Sequence, residues 1–183
     1  SDVCSSDLLP PVRLLSMKAG KKLASHFLSS SVFTNSSKGT MASSSISVNM
    51  SVDNSTDVTV AFPNTNIGNQ LKQIARLIKN RTALSMNRQI FFCTLDGFDT
   101  HSGQLNAQTG LFTQLSQACR AFYDEMTAQS LGSKVTQFTL SDFGRTFNPA
   151  GSGVNVGSDH AWANHSLVIG DSVIGGDFYG MNT

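Results

Sequence analysis

The stretch FFCTLDGFDTH, residues 91–101, sets the direction in which the rest of the chain is interpreted. Its first half continues an apolar run that begins at Ile90, and such a run is typical of a strand buried on both faces. Its second half places two carboxylates and an imidazole within six residues: Asp96, Asp99 and His101. Because Gly97 alone would supply the turn, these polar groups exceed what a turn requires. We predict a buried central strand over residues 86–95 that ends in a functional loop.

Composition and charge limit the classes of protein to consider. The 183 residues are enough for one domain with a proper core, and a net charge of +1 with 39% apolar residues predicts no nucleic-acid partner. No apolar run is long enough to cross a bilayer, so no transmembrane segment is predicted. A charged fraction of only 14% favours an exported protein. Cys93 in the strand and Cys119 on a predicted helix are expected to be buried thiols.

The two ends of the chain lead us to expect a truncated fragment. The opening octapeptide SDVCSSDL, residues 1–8, resembles the translation of a sequencing-library adapter and is excluded from the fold prediction. Residues 9–61 are expected to be a partial N-terminal segment, in which SISVNMSV and VTVAF alternate as a strand pair would. Residues 62–183 are expected to be the C-terminal part of an α/β domain, which stops abruptly at GGDFYGMNT.

Helices and strands alternate after residue 62. Apolar residues spaced by four, three and four predict a helix that ends near Asn80: Ile67, Leu71, Ile74 and Ile78. A second apolar set predicts a long helix that closes with Gly132 as a left-handed C-cap: Leu111, Phe112, Leu115, Ala118, Cys119, Phe122 and Met126. Residues 134–140 are predicted to be a strand, and SLVIG and DSVIGG a final strand pair. This alternation of helices and strands predicts a central, mostly parallel sheet flanked by helices.

In such sheets, binding and catalytic residues usually lie beyond the carboxyl ends of the parallel strands. The clusters DGFDTH and SDFGRT follow consecutive predicted strands, and a right-handed crossover would place them side by side. Asp and neutral His are ligands suited to divalent ions such as zinc, manganese or calcium. The candidate metal ligands are Asp96, Asp99, His101, Asp142, His160 and His165. Arg145 offers a planar fork for phosphate or sulfate oxygens and is the candidate catalytic residue.

Each of these residues also has an ordinary structural interpretation. Asp99 would make an Asx turn, with Thr100 or Ser102 as the N-cap of the long helix. Asp96 would be a turn residue or an outer hydrogen-bond acceptor. Asp142 would cap the segment after its strand and pair with Arg145. His165 is closer to a structural histidine than His160 is, because strand follows it directly.

The motifs GFDTHSGQ, SDFGRTF, GSDHAWANH and GGDFYG, in this order around a long helix, resemble the C-terminal part of a bacterial family. This family is known as domain of unknown function 1501, its members are often Tat-exported, and the resemblance covers roughly residues 62–180. The family is similar to the alkaline phosphatase, sulfatase and cofactor-independent phosphoglycerate mutase superfamily. The resemblance implies an alkaline phosphatase-like fold and four metal ligands: Asp99, His101, Asp142 and His160.

Two departures qualify what the resemblance implies. In two-metal relatives a His follows the second Asp, whereas Phe143 follows Asp142 here, so a second metal would need another ligand such as His165. The superfamily's nucleophile lies near the N-terminus, and residues 9–60 contain no equivalent. We therefore expect the fragment to be inactive alone.

The expected function is that of a periplasmic or secreted metal-dependent hydrolase acting on small-molecule or glycan phosphate or sulfate esters. The alternative is an exported non-catalytic binding or assembly protein that retains the fold. A nucleotide-binding domain is disfavoured because no GxGxxG or GK[ST] loop opens a helix.

Overall fold

The structure, a computed structural model, describes residues 57–83, 88–162 and 164–180, together with three short strands nearer the N-terminus. These strands are β1 (Ser16–Lys18), β2 (Val32–Asn35) and β3 (Met41–Ser44). The later elements are α1 (Asn66–Lys79), β4 (Phe92–Thr94), α2 (Gln104–Ala128), a 3-10 turn (Gly132–Lys134), β5 (Gln137–Phe138), β6 (Gly144–Ala150), β7 (Gly157–Ala161) and β8 (Val168–Ile169). The protein is a mixed fold of helices and strands.

Helix α1 confirms the first helix prediction. Thr65 is the N-cap, and its hydroxyl accepts a hydrogen bond from the Gly68 backbone N–H at 3.1 Å, which satisfies one of the free donors of the first turn. The helix ends at Lys79 with Asn80 as its C-cap, near the predicted end. Its apolar face is fully buried, since Ile67 and Leu71 have no exposed surface.

Helix α2 confirms the long helix, but its C-terminus differs from the prediction. The left-handed residue after the helix is Ser130, with φ of 58°, and not Gly132. The Leu131 N–H donates to the Met126 carbonyl at 2.8 Å, which is the long bond of a Schellman motif. The predicted Gly132 C-cap is therefore wrong. Gly132 instead packs against the Asp171 carboxylate, where a Cβ would collide.

The core lies where α1 and α2 pack on one side of β4. Phe91, Cys93 and Leu95 are buried there, together with Phe122 of α2. Ile90, directly before them, is 43% exposed, and Phe92 and Thr94, between them, are half-buried, so burial alternates along the strand. The prediction of a strand buried on both faces is wrong, because the described helices cover only the face that carries every second side chain.

The predicted central, mostly parallel sheet does not form among the described strands. Only β1 and β4 pair in parallel, whereas β2–β3, β5–β8 and β6–β7 are antiparallel pairs. Strand β1 also contacts β5. The side-chain amide of Gln70 hydrogen-bonds the backbone of Thr94 in both directions, at 2.9 and 3.1 Å, and so pairs with β4 as a strand would.

Three of the smaller strand predictions also change. In the predicted pair SISVNMSV and VTVAF, residues 45–56 lie outside the described residues, and residues 58–62 are not a strand. There the backbone N–H groups of Thr59 and Val60 both donate to the buried carboxylate of Glu125, each at 2.8 Å. The strand predicted over residues 134–140 is reduced to β5. Strand β8 pairs with β5, and DSVIGG contains turns instead of a strand.

The hairpin β6–β7 is the element that completes the candidate site. Its pairing shifts between Arg145 and Pro149, an irregularity that accommodates a proline within a strand. The turn of the hairpin folds back onto the start of α2, where the Gln104 N–H donates to the Val156 carbonyl at 3.1 Å. Helix α2 has left-handed Gly103 as its N-cap without a side-chain bond, so neither Thr100 nor Ser102 is the N-cap. Hairpin carbonyls satisfy the free N–H groups there.

Among the helices in the described ranges, none combines the length and apolarity needed to cross a bilayer.

Candidate metal centre

Three predicted ligands converge on one point at the surface. Asp99 and His101 lie in the loop between β4 and α2, and His160 lies on β7. The Asp99 Oδ1 atom is 3.0 Å from His101 Nε2 and 2.9 Å from His160 Nε2. All three ligand atoms lie within 4.8 Å of one another. The loop and the hairpin, which are 59 residues apart at His101 and His160, thus contribute to a single group of donors.

The donor set fits a divalent transition metal. Zinc bonds of about 2.0 Å at tetrahedral angles place neighbouring ligand atoms about 3.3 Å apart. The observed separations of 2.9 and 3.0 Å are a few tenths shorter, so small side-chain rotations would open the group to an ion. A carboxylate with two imidazoles also leaves a fourth position for water or substrate, as catalytic zinc sites do.

The two histidines face solvent, whereas the aspartate does not. The side chains of His101 and His160 are 49% and 47% exposed, and that of Asp99 is 14% exposed. An ion or substrate from solution can therefore reach the two imidazoles directly, whereas Asp99 lies on the protein side of the site.

Arg145 lies beneath the group and is turned inward. Its guanidinium donates to the Ser158 carbonyl at 2.5 Å, to the Phe98 carbonyl at 2.7 Å and to Asp99 Oδ1 at 3.2 Å. Its side chain is 14% exposed. Arg145 is also the cross-strand partner of His160 in the hairpin. The arginine thus connects the loop after β4 to the hairpin and places its charge beside Asp99, with which it pairs.

A buried polar network supports the loop from below. Thr100 and Ser158 are buried, and the Ser158 hydroxyl donates to Gln104 Oε1 at 2.6 Å. The Gln108 amide donates to the Thr100 hydroxyl at 2.9 Å. Both glutamines belong to the first turns of α2, so the helix fixes the loop that carries Asp99 and His101 as well as the strand that carries His160.

Three other predicted ligands do not join this group. Asp96, Asp142 and His165 all occupy exposed positions. Asp96 precedes the turn at Gly97, and Asp142 lies between β5 and β6. His165 follows the hairpin, where its backbone N–H donates to the Asn164 side chain at 2.8 Å. His160, in contrast, joins the site because the pairing of β6 with β7 places it directly opposite Arg145.

Two residues near the group were not identified from the sequence. Asp159 Oδ1 lies 3.5 Å from His101 Nδ1, on the side of the ring away from Asp99. Phe143 stacks on His160, with ring centroids 3.8 Å apart and an interplanar angle of 10°. The motif SDHA carries Asp159 directly before His160, so a closer inspection of ligand neighbours would have found it. Nothing in the sequence around Phe143 indicates its contact with His160.

The comparison with protein families agrees with the motifs. The model of a family described as "Protein of unknown function (DUF1501)" matches residues 15–182, nearly the whole chain. The chain belongs to the DUF1501 family. The resemblance expected from the motifs is thereby confirmed at the level of the family, and all three converging residues fall within the matched part. No curated protein and no solved structure matches the chain.

Proposed function

We propose that this DUF1501 protein carries the metal centre of an exported hydrolase that acts on phosphate or sulfate esters. The observation that supports the proposal is the convergence of Asp99, His101 and His160 from two separate segments on one surface point. The reaction class rests on the similarity of the DUF1501 motifs to the alkaline phosphatase and sulfatase superfamily. An alkaline phosphatase-like fold of the whole domain is part of the same proposal.

The ligand chemistry narrows the identity of the ion. Calcium prefers six to eight oxygen ligands, whereas this group offers two imidazole nitrogens and one carboxylate. Zinc and manganese accept this mixture of nitrogen and oxygen donors. We therefore propose zinc or manganese and no longer include calcium. Such an ion would supply a Lewis acid for an ester oxygen.

The protein's own groups have distinct tasks in this proposal. His101 and His160 present their Nε2 atoms towards Asp99 at an exposed position, where an ester can approach from solution. Asp99 supplies the negative charge of the site. Arg145 keeps that carboxylate in place through its bond to Oδ1. Its direct grip on a phosphate or sulfate oxygen stays a prediction, and in the present arrangement its terminal nitrogens already donate to three acceptors.

The first experiment measures the metal content of the purified protein by elemental mass spectrometry. We expect stoichiometric zinc or manganese in the wild type and none in the His101→Ala and His160→Ala variants. His165→Ala is the matched control, because His165 is also exposed and lies close to His160 in the sequence but outside the group. It should bind metal as the wild type does. Circular dichroism shows whether each variant folds.

The outcomes separate the metal centre from the reaction. A folded wild-type protein that binds no zinc or manganese would contradict the metal centre. Hydrolysis is tested with aryl phosphate and aryl sulfate in forms of the protein extended upstream, because the superfamily's nucleophile has no match in residues 9–60. Metal binding without hydrolysis in such forms would favour the non-catalytic binding protein.

A further inference from the structure

One contact at the metal centre is made by a side chain with no polar atom. The ring of Phe143, just before β6, lies 3.8 Å from the imidazole of His160 on β7, and the two rings are within 10° of parallel. The closest polar partner of His160 is Asp99, at 2.9 Å from Nε2. One hydrogen bond leaves an imidazole free to rotate about that contact, whereas a stacked ring fixes the plane of the imidazole as well.

Phe143 is itself held in place. It is half-buried, and the Arg145 guanidinium carbon lies 5.0 Å from the centroid of its ring. This distance is within the range of a cation–π contact. Arg145 is fixed by its hydrogen bonds to the carbonyl groups of Phe98 and Ser158. Because Phe143 contacts this fixed cation on one side and His160 on the other, its ring can hold the His160 imidazole in place.

The exposure of His160 makes such support necessary. Its side chain is 47% exposed, so solvent would allow it several rotamers, and binding an ion would require it to lose that freedom. His101 differs, because its two ring nitrogens face two carboxylates, those of Asp99 and Asp159. His101 is thus oriented by two carboxylates, and His160 by one carboxylate and a stacked ring.

We propose that Phe143 is a positioning residue of the metal centre, which holds the His160 imidazole by stacking with its Nε2 atom directed towards Asp99. This inference rests on the proposed metal centre. Phe143 contacts no ion or substrate and acts only through His160. An aromatic ring at residue 143 is therefore required, and an aliphatic side chain of similar size is not sufficient.

The test compares three variants by their zinc affinity, measured by competition with a chromogenic chelator. Phe143→Leu keeps an apolar side chain and removes the aromatic ring, and we expect zinc affinity about tenfold lower than in the wild type. Phe143→Tyr keeps the ring, and we expect it to retain wild-type affinity. Phe147→Leu is the matched control, because Phe147 lies on β6, four residues after Phe143, and is fully exposed. It should leave the affinity unchanged.

A second measurement needs no metal and no variant at residue 143. Stacking on an aromatic ring shifts the proton resonances of an imidazole upfield, so the His160 ring protons of the metal-free protein should resonate upfield of those of His165. His160→Ala and His165→Ala assign the two sets of resonances. This readout keeps the proposal testable if Phe143→Leu does not fold.

The outcomes distinguish the two proposals. Zinc binding in the wild type with equal affinity in Phe143→Leu would overturn the role of Phe143 and leave the metal centre intact. An equal loss in Phe143→Tyr and Phe143→Leu would also overturn it, because the aromatic ring would then not be the cause. A wild-type protein without zinc affinity would overturn both the metal centre and the role of Phe143 in it.

Discussion

Gly157 lies against the backbone of His101 so closely that a Cβ on the glycine would overlap the His101 carbonyl group. The absence of a side chain at residue 157 allows β7 to approach the loop that carries the ligands, and the Ser158 N–H reaches the Thr100 carbonyl at 3.4 Å. Three residues after the glycine, His160 meets Asp99. The assembly of the metal centre thus depends on a contact between two backbones.

Gly157→Ala should therefore separate the hairpin from the ligand loop. The added methyl group meets backbone atoms of Thr100 and His101, which cannot move without shifting the start of α2. We expect a loss of about 1–3 kcal/mol in the free energy of unfolding. Zinc affinity should fall as well. Urea titration followed by fluorescence, and chelator competition, measure the two effects.

Gly110→Ala is the matched control for this substitution. Gly110 lies within α2, and a Cβ there would have no neighbour within 4 Å. Because alanine is the better helix former, we expect the free energy of unfolding to rise by up to about 1 kcal/mol. If Gly157→Ala were as stable as Gly110→Ala and bound zinc normally, the close approach of the two backbones would not be required.

Arg145→Lys tests whether the arginine positions the site or grips an anion. Lysine has one nitrogen and cannot reach the carbonyl groups of Phe98 and Ser158 and the carboxylate of Asp99 together. Leaving some of these acceptors without a donor should lower the free energy of unfolding by about 1–3 kcal/mol. Urea titration measures the change. Arg120→Lys is the control, since Arg120 is exposed on α2 and its loss should cost less than about 0.5 kcal/mol.

A different result for Arg145→Lys would support the oxyanion grip. In that case the variant would unfold as the wild type does, while the binding of phosphate or sulfate to the zinc-loaded protein would weaken. Calorimetric titration with each anion distinguishes this outcome from the positioning role.

Asp159→Asn tests the carboxylate on the far side of His101. With Nε2 free to bind an ion, the proton of the neutral imidazole resides on Nδ1, which faces Asp159 Oδ1 at 3.5 Å. Removal of the negative charge should weaken this preference, and zinc affinity should fall about tenfold. Chelator competition measures it. Asp177→Asn, an exposed aspartate outside the group, should have no effect, and a similar loss in both variants would mean that only net charge matters.

The two described cysteines should be unreactive in the folded protein. Burial raises the pKa of the Cys119 thiol to about 11 and raises that of Cys93 further. Because the thiolate is the reactive form and its fraction is small well below these values, a thiol reagent at pH 8 should label neither residue. In a Cys4→Ser variant, we expect two labelled thiols in urea and none without it. Labelling of the folded protein at the rate of free cysteine would contradict the burial of both side chains.

The sequence predicted the parts of this protein that depend on local spacing. The recurrence of Ile67, Leu71, Ile74 and Ile78 decides α1, because only a helix places all four on one face. Asp99 and His101 were identified for a similar reason. Two ligand side chains on a short loop after a strand stay close to each other whatever the surrounding sheet looks like.

The tertiary structure decided what depends on pairing between distant segments. The pairing of β6 with β7 decides that His160, and not His165, joins Asp99. Long-range contacts decide which strands are parallel. The spacing of residues along the chain predicts neither of these two outcomes. Phe143 shows the difference most clearly. The sequence presents it as a residue that cannot bind metal, and only the folded hairpin places its ring on His160, because stacking requires two segments to meet in space.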